Sequence, residues 1–371
     1  MTAPSPGWSP AWAGDERSAV LEVTAAGEAA TAVGAHVATL VDVQAASRLA
    51  AKDVSLWGGA HRAAVAGRLG WVDLPESSRA TVERLEALRA ELAGEGVVRS
   101  IVRDLRDGSG PVATGPVTDP AAVVVVLAGS AARGDLEALE HDLAPAAERV
   151  VVVADAGGEA ARWASSRREV FLTDPLLDGP FAALDAAELV PAALAGADVS
   201  ELLDDAVIVS DLLAEDAEAN PALVLAASLA GTRPLRGTVL LVDQGSGLPG
   251  LTDWVAELVS TTTGLAPLVA TTPGRAEGRA ADGDVLVVRL LSADDEPPEE
   301  PGAGDATASV SVTGTLGAQI LLWQFAAAIA ARLLGRSPFG SLATVEPARV
   351  RRNIIMAPGR SRVTEEGTED A

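Results

Sequence analysis

Cysteine is absent from the 371 residues, which rules out disulfides, a thiolate nucleophile and any Cys-type zinc site. Such a chain suits the cytoplasm. Lysine is nearly absent as well: Lys52 stands alone, and arginine carries the remaining positive charge. No apolar run reaches the roughly 18 residues that a membrane span requires, and the opening MTAPSPGWSPAWAGDERS lacks the charged segment and apolar core of a secretory signal. A membrane partner is therefore not expected. Nucleic acid is not expected either, because a net charge of -24 repels phosphate backbones and the basic cluster ARVRRN (348–353) is short. Histidine is scarce: His36, His61 and His141 have no HExxH or Asp-rich company, so a metal site has no support. Nor does GSG at 245–247 make the GxSxG elbow of a serine hydrolase.

A hydrophobic content of 48% over this length is enough for two domains with sizeable cores. AAVVVVLAG (121–129) is a continuous β-branched run closed by glycine, the signature of a strand buried on both faces of a parallel sheet. DLEALEHDLAPAAE (135–148) follows with helical spacing, then a strand at 149–157, a helix at 158–165 and a short strand at 168–174. This is an α/β unit of the doubly wound kind. Helical patterns fill 183–195, 200–215 and 221–230, after which the rhythm restarts: strand 237–245, helix 251–264 ended by Gly264, strands 284–291 and 306–314, and a long apolar helix 315–335 ended by Gly335. The acidic, Pro- and Gly-rich stretch 292–306 reads as an exposed loop, and 357–371 as a disordered tail. Ahead of these units, helical stretches at 23–53 and 77–96 form a leader. The division expected is a helical leader (1–95), a shortened first α/β domain (96–217), a second (218–340) and a C-terminal segment (341–371).

Several landmarks occur in one order along most of the chain: AKDVSLWG (51–58), LGWVDLPESSR (69–79), LLDGPFAALDAAELVPAALAG (176–196), LTDWVAELVSTTTG (251–264), and LGAQILLWQFAAAIAARLLGRSPF (316–339) followed by VEPAR (345–349). Together they resemble the bacterial glucose-6-phosphate isomerase family, which has two sugar-isomerase (SIS) domains, each a parallel sheet with helices on both sides. The resemblance implies interconversion of glucose 6-phosphate and fructose 6-phosphate through a cis-enediol, without a cofactor. That chemistry needs a carboxylate base and donors that cradle the phosphate.

Carried over position by position, the family's machinery is largely missing. In 176–196 the family pattern resembles GGRFSALSAVGLVPAALAG; here the first Gly is Asp178, the Arg is Pro180, the Ser residues are Ala182 and Asp185, and the later Gly is Glu188. Carboxylates thus stand where an anionic substrate would be repelled. No Gly-Gly-Ser-Ser loop is recognisable in 97–120. The second phosphate loop aligns with LAGSAARGD (127–135), leaving Ser130 and Arg133 as substrate-binding candidates at a strand-to-helix turn. The family's base falls on Thr261 and a nearby Lys on Leu265, so the candidate base becomes Glu257, four residues earlier on nearly the same helix face. A C-terminal catalytic Lys aligns with Arg349, which keeps the charge but does not readily release a proton.

Two readings stand at this point. One is a divergent isomerase acting on a sugar phosphate through Glu257. The other is a non-catalytic SIS-fold scaffold or regulatory partner of a sugar-phosphate enzyme, favoured by the simultaneous loss of base, arginine and phosphate loops. The family is commonly dimeric, so a second copy of the chain is an expected partner beside an enzyme partner.

Overall fold

The structure is a computed structural model that describes residues 21–35, 76–106, 116–166, 169–173, 179–215, 217–232, 235–270, 284–292, 308–336 and 338. Two sheets organise it. The first is four-stranded and wholly parallel, in the order β2 (Arg99–Asp104), β3 (Ala122–Gly129), β4 (Val150–Asp155), β5 (Glu169–Thr173). Its strands alternate sides with a period of two. Val123, Val125, Leu127, Val151 and Val153 meet the helices Glu76–Gly94 and Ala186–Leu194, whereas Val124, Val126, Val150 and Val152 meet Leu136, Leu139 and Leu143 of the helix Arg133–Leu143. The continuous valine runs follow from this: both faces are covered, so no position is left for a polar side chain.

The second sheet is five-stranded, in the order β1 (Leu21–Ala26), β9 (Ala308–Gly314), β8 (Val285–Leu291), β6 (Thr238–Gln244), β7 (Ala266–Ala270). Strands β6 to β9 are mutually parallel, and β1 closes one edge antiparallel to β9. Strand order reverses between β6 and β8, the kind of switch point outside which ligands sit in open α/β sheets. One face packs on a large core shared with the helices Pro221–Ala230, Leu251–Thr263 and Leu316–Leu333. The other carries a smaller cluster around Leu240, Val242, Val285 and Val287.

Parallel strands flanked by helices agree with the fold class expected from the sequence, and the helices expected at 77–96, 183–195, 200–215, 221–230, 251–264 and 315–335 are all present within a few residues. Three strands were not expected. Leu21–Ala26 overlaps the start of the stretch read as helical from residue 23; it is a strand because Leu21, Val23 and Ala25 are fully buried while Glu22, Thr24 and Ala26 are half-exposed, a period of two rather than 3.6. Helix begins only at residue 28. Strands β2 and β7 lie at sheet edges, where half of the surroundings are water, so RSIVRD and APLVA lack the unbroken apolar run of β3. The helix Glu76–Gly94 contributes Val82, Leu85, Leu88 and Leu92 to the core of the first sheet. Arg84 fixes it there: it pairs with Glu169, donates to the Val170 carbonyl at 2.9 Å and stacks over the Phe171 ring at 4.5 Å.

The helix Leu316–Leu333 joins the two halves. A β-carbon at Gly317 would collide with the carbonyl oxygen of Leu202, so glycine alone lets this helix approach Val199–Ala214 so closely. Further along, Gln324 donates to the Pro180 carbonyl at 3.0 Å. Among the described residues no helix is long and apolar enough to cross a membrane.

Candidate functional site

Charged side chains gather at the carboxyl edge of the first sheet. Asp104 ends β2, Gly129 ends β3, Asp155 ends β4 and Thr173 ends β5. Arg106, two residues past β2, contacts the Asp104 carboxylate at 2.7 Å and reaches Glu188 at 2.7 Å in the first turn of the helix Ala186–Leu194. Burial pushes the Asp104 carboxyl up, but the hydrogen bonds and charge of Arg106 outweigh that and hold it below the usual carboxylate range. The hydrogen bond to Asp104, offset by burial and reinforced by Glu188, raises the Arg106 guanidinium above its ordinary value. Gly129 adopts φ +47, and a β-carbon there would sit 3.4 Å from Cγ of Arg106 and 3.8 Å from Oδ1 of Asp155. Both are ordinary contact distances, so glycine is required here by the positive φ rather than by lack of space. Beside it, the Thr173 hydroxyl donates to Asp155 at 3.1 Å.

The candidate phosphate contacts lie on this edge. Ser130 is exposed in the turn after β3, and Arg133 opens the helix Arg133–Leu143, as expected of a strand-to-helix turn. The Arg133 guanidinium is engaged by Glu137 at 2.7 Å, one turn along the same helix, and that hydrogen bond with the nearby acidic charge raises its pKa. In the 176–196 stretch, Pro180 and Ala182 belong to the short turn Gly179–Ala182, and Asp185 is buried at the N-cap of the following helix. Asp178 lies outside the described residues. In the sequence Glu188 reads only as added negative charge; its pairing with Arg106 is not legible there, because the partners are 82 positions apart and no local motif links them.

At the carboxyl edge of the second sheet, the loop after β6 closes on itself. The Asp243 carboxylate accepts from the backbone N–H of Gly245 at 3.1 Å and of Ser246 at 2.9 Å, and the Ser246 hydroxyl accepts from Leu248 N–H at 3.2 Å. Three backbone donors of this loop, the N–H groups of Gly245, Ser246 and Leu248, are thus taken by the loop's own side chains.

The base candidates sit on the helix that follows. Leu251, Val255, Leu258, Val259 and Thr262 form its buried side, while Glu257 and Thr261 are both exposed. The Thr261 hydroxyl donates to the Glu257 carbonyl at 2.7 Å, the back-bond typical of a helical threonine. Leu265, where the resemblance puts a lysine, is buried. Among the described residues no hydrogen bond or ion pair joins Glu257 to Ser130 or Arg133, so the base candidate and the phosphate candidates are not brought into contact. Arg349 lies outside the described residues, as do His36 and His61. His141 is exposed, and no group of three or more metal-ligating side chains occurs among the described residues.

Solved structures share this architecture. A glucose-6-phosphate isomerase from Chlamydia trachomatis D/UW-3/Cx superposes with a TM-score of 0.56 over 79% of this chain and 79% of that one, at 14% sequence identity. A hypothetical protein from Thermus thermophilus superposes with a TM-score of 0.58 over 88% of this chain and 97% of that one, at 16% identity. The chain has a glucose-6-phosphate isomerase-like fold. At these identities the likeness speaks for the fold alone. No protein-family model matches the chain, and no curated protein matches it.

Proposed function

We propose that this chain is a glucose-6-phosphate isomerase-like protein in which interconversion of glucose 6-phosphate and fructose 6-phosphate is impaired or lost. The observation that carries the reading is Thr261: it occupies the position where the sequence resemblance puts the base, and its hydroxyl is bonded to the Glu257 carbonyl at 2.7 Å. A threonine hydroxyl cannot take a carbon-bound proton at neutral pH. The surroundings support the same conclusion. Glu257 is on the exposed side of its helix and makes no hydrogen bond or ion pair with the phosphate candidates Ser130 and Arg133, and the Asp243 carboxylate already accepts from the Gly245 and Ser246 N–H groups that a phosphate would use.

The self-closed Asp243 loop also favours a second role for the fold. A chain that keeps both sheets but pairs Arg106, Arg133 and the loop after β6 with its own carboxylates is suited to act as a scaffold or regulatory partner of a sugar-phosphate enzyme in the cytoplasm. The deciding experiment is a coupled assay of the purified full chain with fructose 6-phosphate. No turnover above background is expected. Turnover that disappears in Glu257→Gln, with the fold intact, would overturn the reading and assign the base to Glu257.

A further inference from the structure

Residues 21–35 precede the first sheet in the chain but pack on the second. Leu21, Val23 and Ala25 of β1, with Ala29 and Val33 of the short helix that follows, are fully buried in the core that β9 shares with the helices Pro221–Ala230 and Leu316–Leu333. None of residues 21–35 belongs to either core of the first sheet. Gly27, at φ 61, turns the strand directly into the helix that starts at Glu28. The register with β9 runs unbroken from Leu21 opposite Gly314 to Ala26 opposite Ser309. Arg236 holds the helix: its side chain is only 4% exposed, pairs with Glu28 and donates to the Val285 carbonyl at 3.0 Å, which ties the segment to the starts of β6 and β8.

The position of β1 decides what this segment can do. It is an outer strand, so it can leave or enter without displacing another strand. What it covers is the edge of β9, a row of backbone donors and acceptors beside the fully buried Val310 and Val312. A strand that fits this edge must turn apolar side chains inward at alternate positions, as Leu21, Val23 and Ala25 do, and must bring a carboxylate to Arg236 after a glycine turn. Glu28 supplies the charge that a buried guanidinium requires. We infer that the edge of β9 is a strand-accepting groove that the chain fills with its own residues 21–35, a strap held by these contacts rather than by its covalent link, so that the same segment is accepted when it arrives as a separate peptide. This holds whether or not the chain is catalytic.

The test uses the full chain with a protease recognition sequence inserted between Ala35 and His36, cut after folding. The released piece is expected to co-elute with the remainder on size exclusion. A fluorescent peptide of residues 21–35, added in excess in urea below the unfolding midpoint, should then replace it. The same peptide carrying Val23→Arg should not enter, and one carrying Glu28→Gln should dissociate several-fold faster. The inference is overturned if the piece falls away and the remainder melts as before, if the piece stays but the labelled peptide never enters, or if the Val23→Arg peptide enters as well as the parent. Should the remainder precipitate on cutting, the cut is repeated with the parent peptide in excess: a soluble complex supports the groove, and precipitation despite the peptide overturns it.

Discussion

Arg106 holds Glu188 at 2.7 Å across 82 positions of sequence, clasping the end of β2 to the first turn of the helix Ala186–Leu194. From the sequence, Glu188 reads as one more charge that would repel an anion. In the fold its charge is already answered, and the arginine that answers it is shared with Asp104. The carboxyl edge of the first sheet is therefore occupied by an internal ion cluster whose members come from distant parts of the chain.

This cluster should contribute little to stability, because the Arg106 and Glu188 side chains are 38% and 48% exposed and solvent screens them. A double-mutant cycle with Arg106→Ala and Glu188→Ala, read by urea melts, should give a coupling of about 0.2–1 kcal/mol that shrinks at high salt. Asp104 adds a pH signature. Its folded pKa is depressed, so its contribution is present above the ordinary carboxylate range and is lost as pH falls through the folded value. Asp104→Asn should remove that part of the acid sensitivity; an identical pH profile in both proteins would show that the pair with Arg106 does not persist in solution.

Gly317 should be among the least tolerant positions. Its missing side chain is what allows the Leu316–Leu333 helix to lie against the Leu202 carbonyl, and the obstacle is backbone rather than a side chain that could turn aside. Gly317→Ala should therefore destabilise by about 1–3 kcal/mol despite the better helix propensity of alanine. Gly134, which has open space around its Cα on the exposed start of another helix, is the control. Gly134→Ala should be neutral or stabilising by about 0.5–1 kcal/mol. Thermal melts of the two variants in parallel give the comparison, and equal melting temperatures would rule out the tight approach.

What the sequence disclosed, and what it hid, follows the range of the interactions involved. AVVVVLAG announces β3 because every residue of a strand covered on both faces must be apolar, a rule that acts locally. LTDWVAELVSTTT likewise gives its helix and its Gly264 cap from spacing alone. Leu21–Ala26 was hidden because an alanine-rich segment has helical propensity, and only its pairing with β9, from Leu21 opposite Gly314 to Ala26 opposite Ser309, makes it a strand. The same holds for the site. Thr261 at the base position is legible in the sequence, whereas the Arg106–Glu188 pair and the Asp243 loop exist only once strand ends and turns have been placed.

Restoring a carboxylate at one position should not restore isomerisation. Thr261→Glu adds a base candidate on the exposed side of the helix, but leaves the Asp243 loop closed and Arg133 paired with Glu137. The variant should stay at background in the coupled assay while melting near the parent, since an exposed helical threonine exchanged for glutamate costs little. Substantial rescue would mean that a phosphate site is present and that the Asp243 loop or the Arg133–Glu137 pair opens to admit it.

Sugar phosphates themselves should fail to stabilise the chain. A ligand that binds only the native state, present at about a hundred times its dissociation constant, contributes about 2.7 kcal/mol, which a melting curve reports readily. Glucose 6-phosphate, fructose 6-phosphate and 6-phosphogluconate, each at millimolar concentration, are expected to leave the melting temperature unchanged. The reason is competition from within. At the first sheet, an arriving phosphate meets Arg106 already held by Asp104 and Glu188, and Arg133 already held by Glu137. At the second, the N–H groups of Gly245 and Ser246 are bonded to Asp243, so a phosphate would have to displace a carboxylate tethered next to them. The tethered group has a high effective concentration and leaves only when the loop opens. A reproducible shift that vanishes in Arg133→Ala would establish a retained phosphate site at the turn after β3. A shift insensitive to Arg133 but strengthened by Asp243→Ala would place it at the second sheet instead.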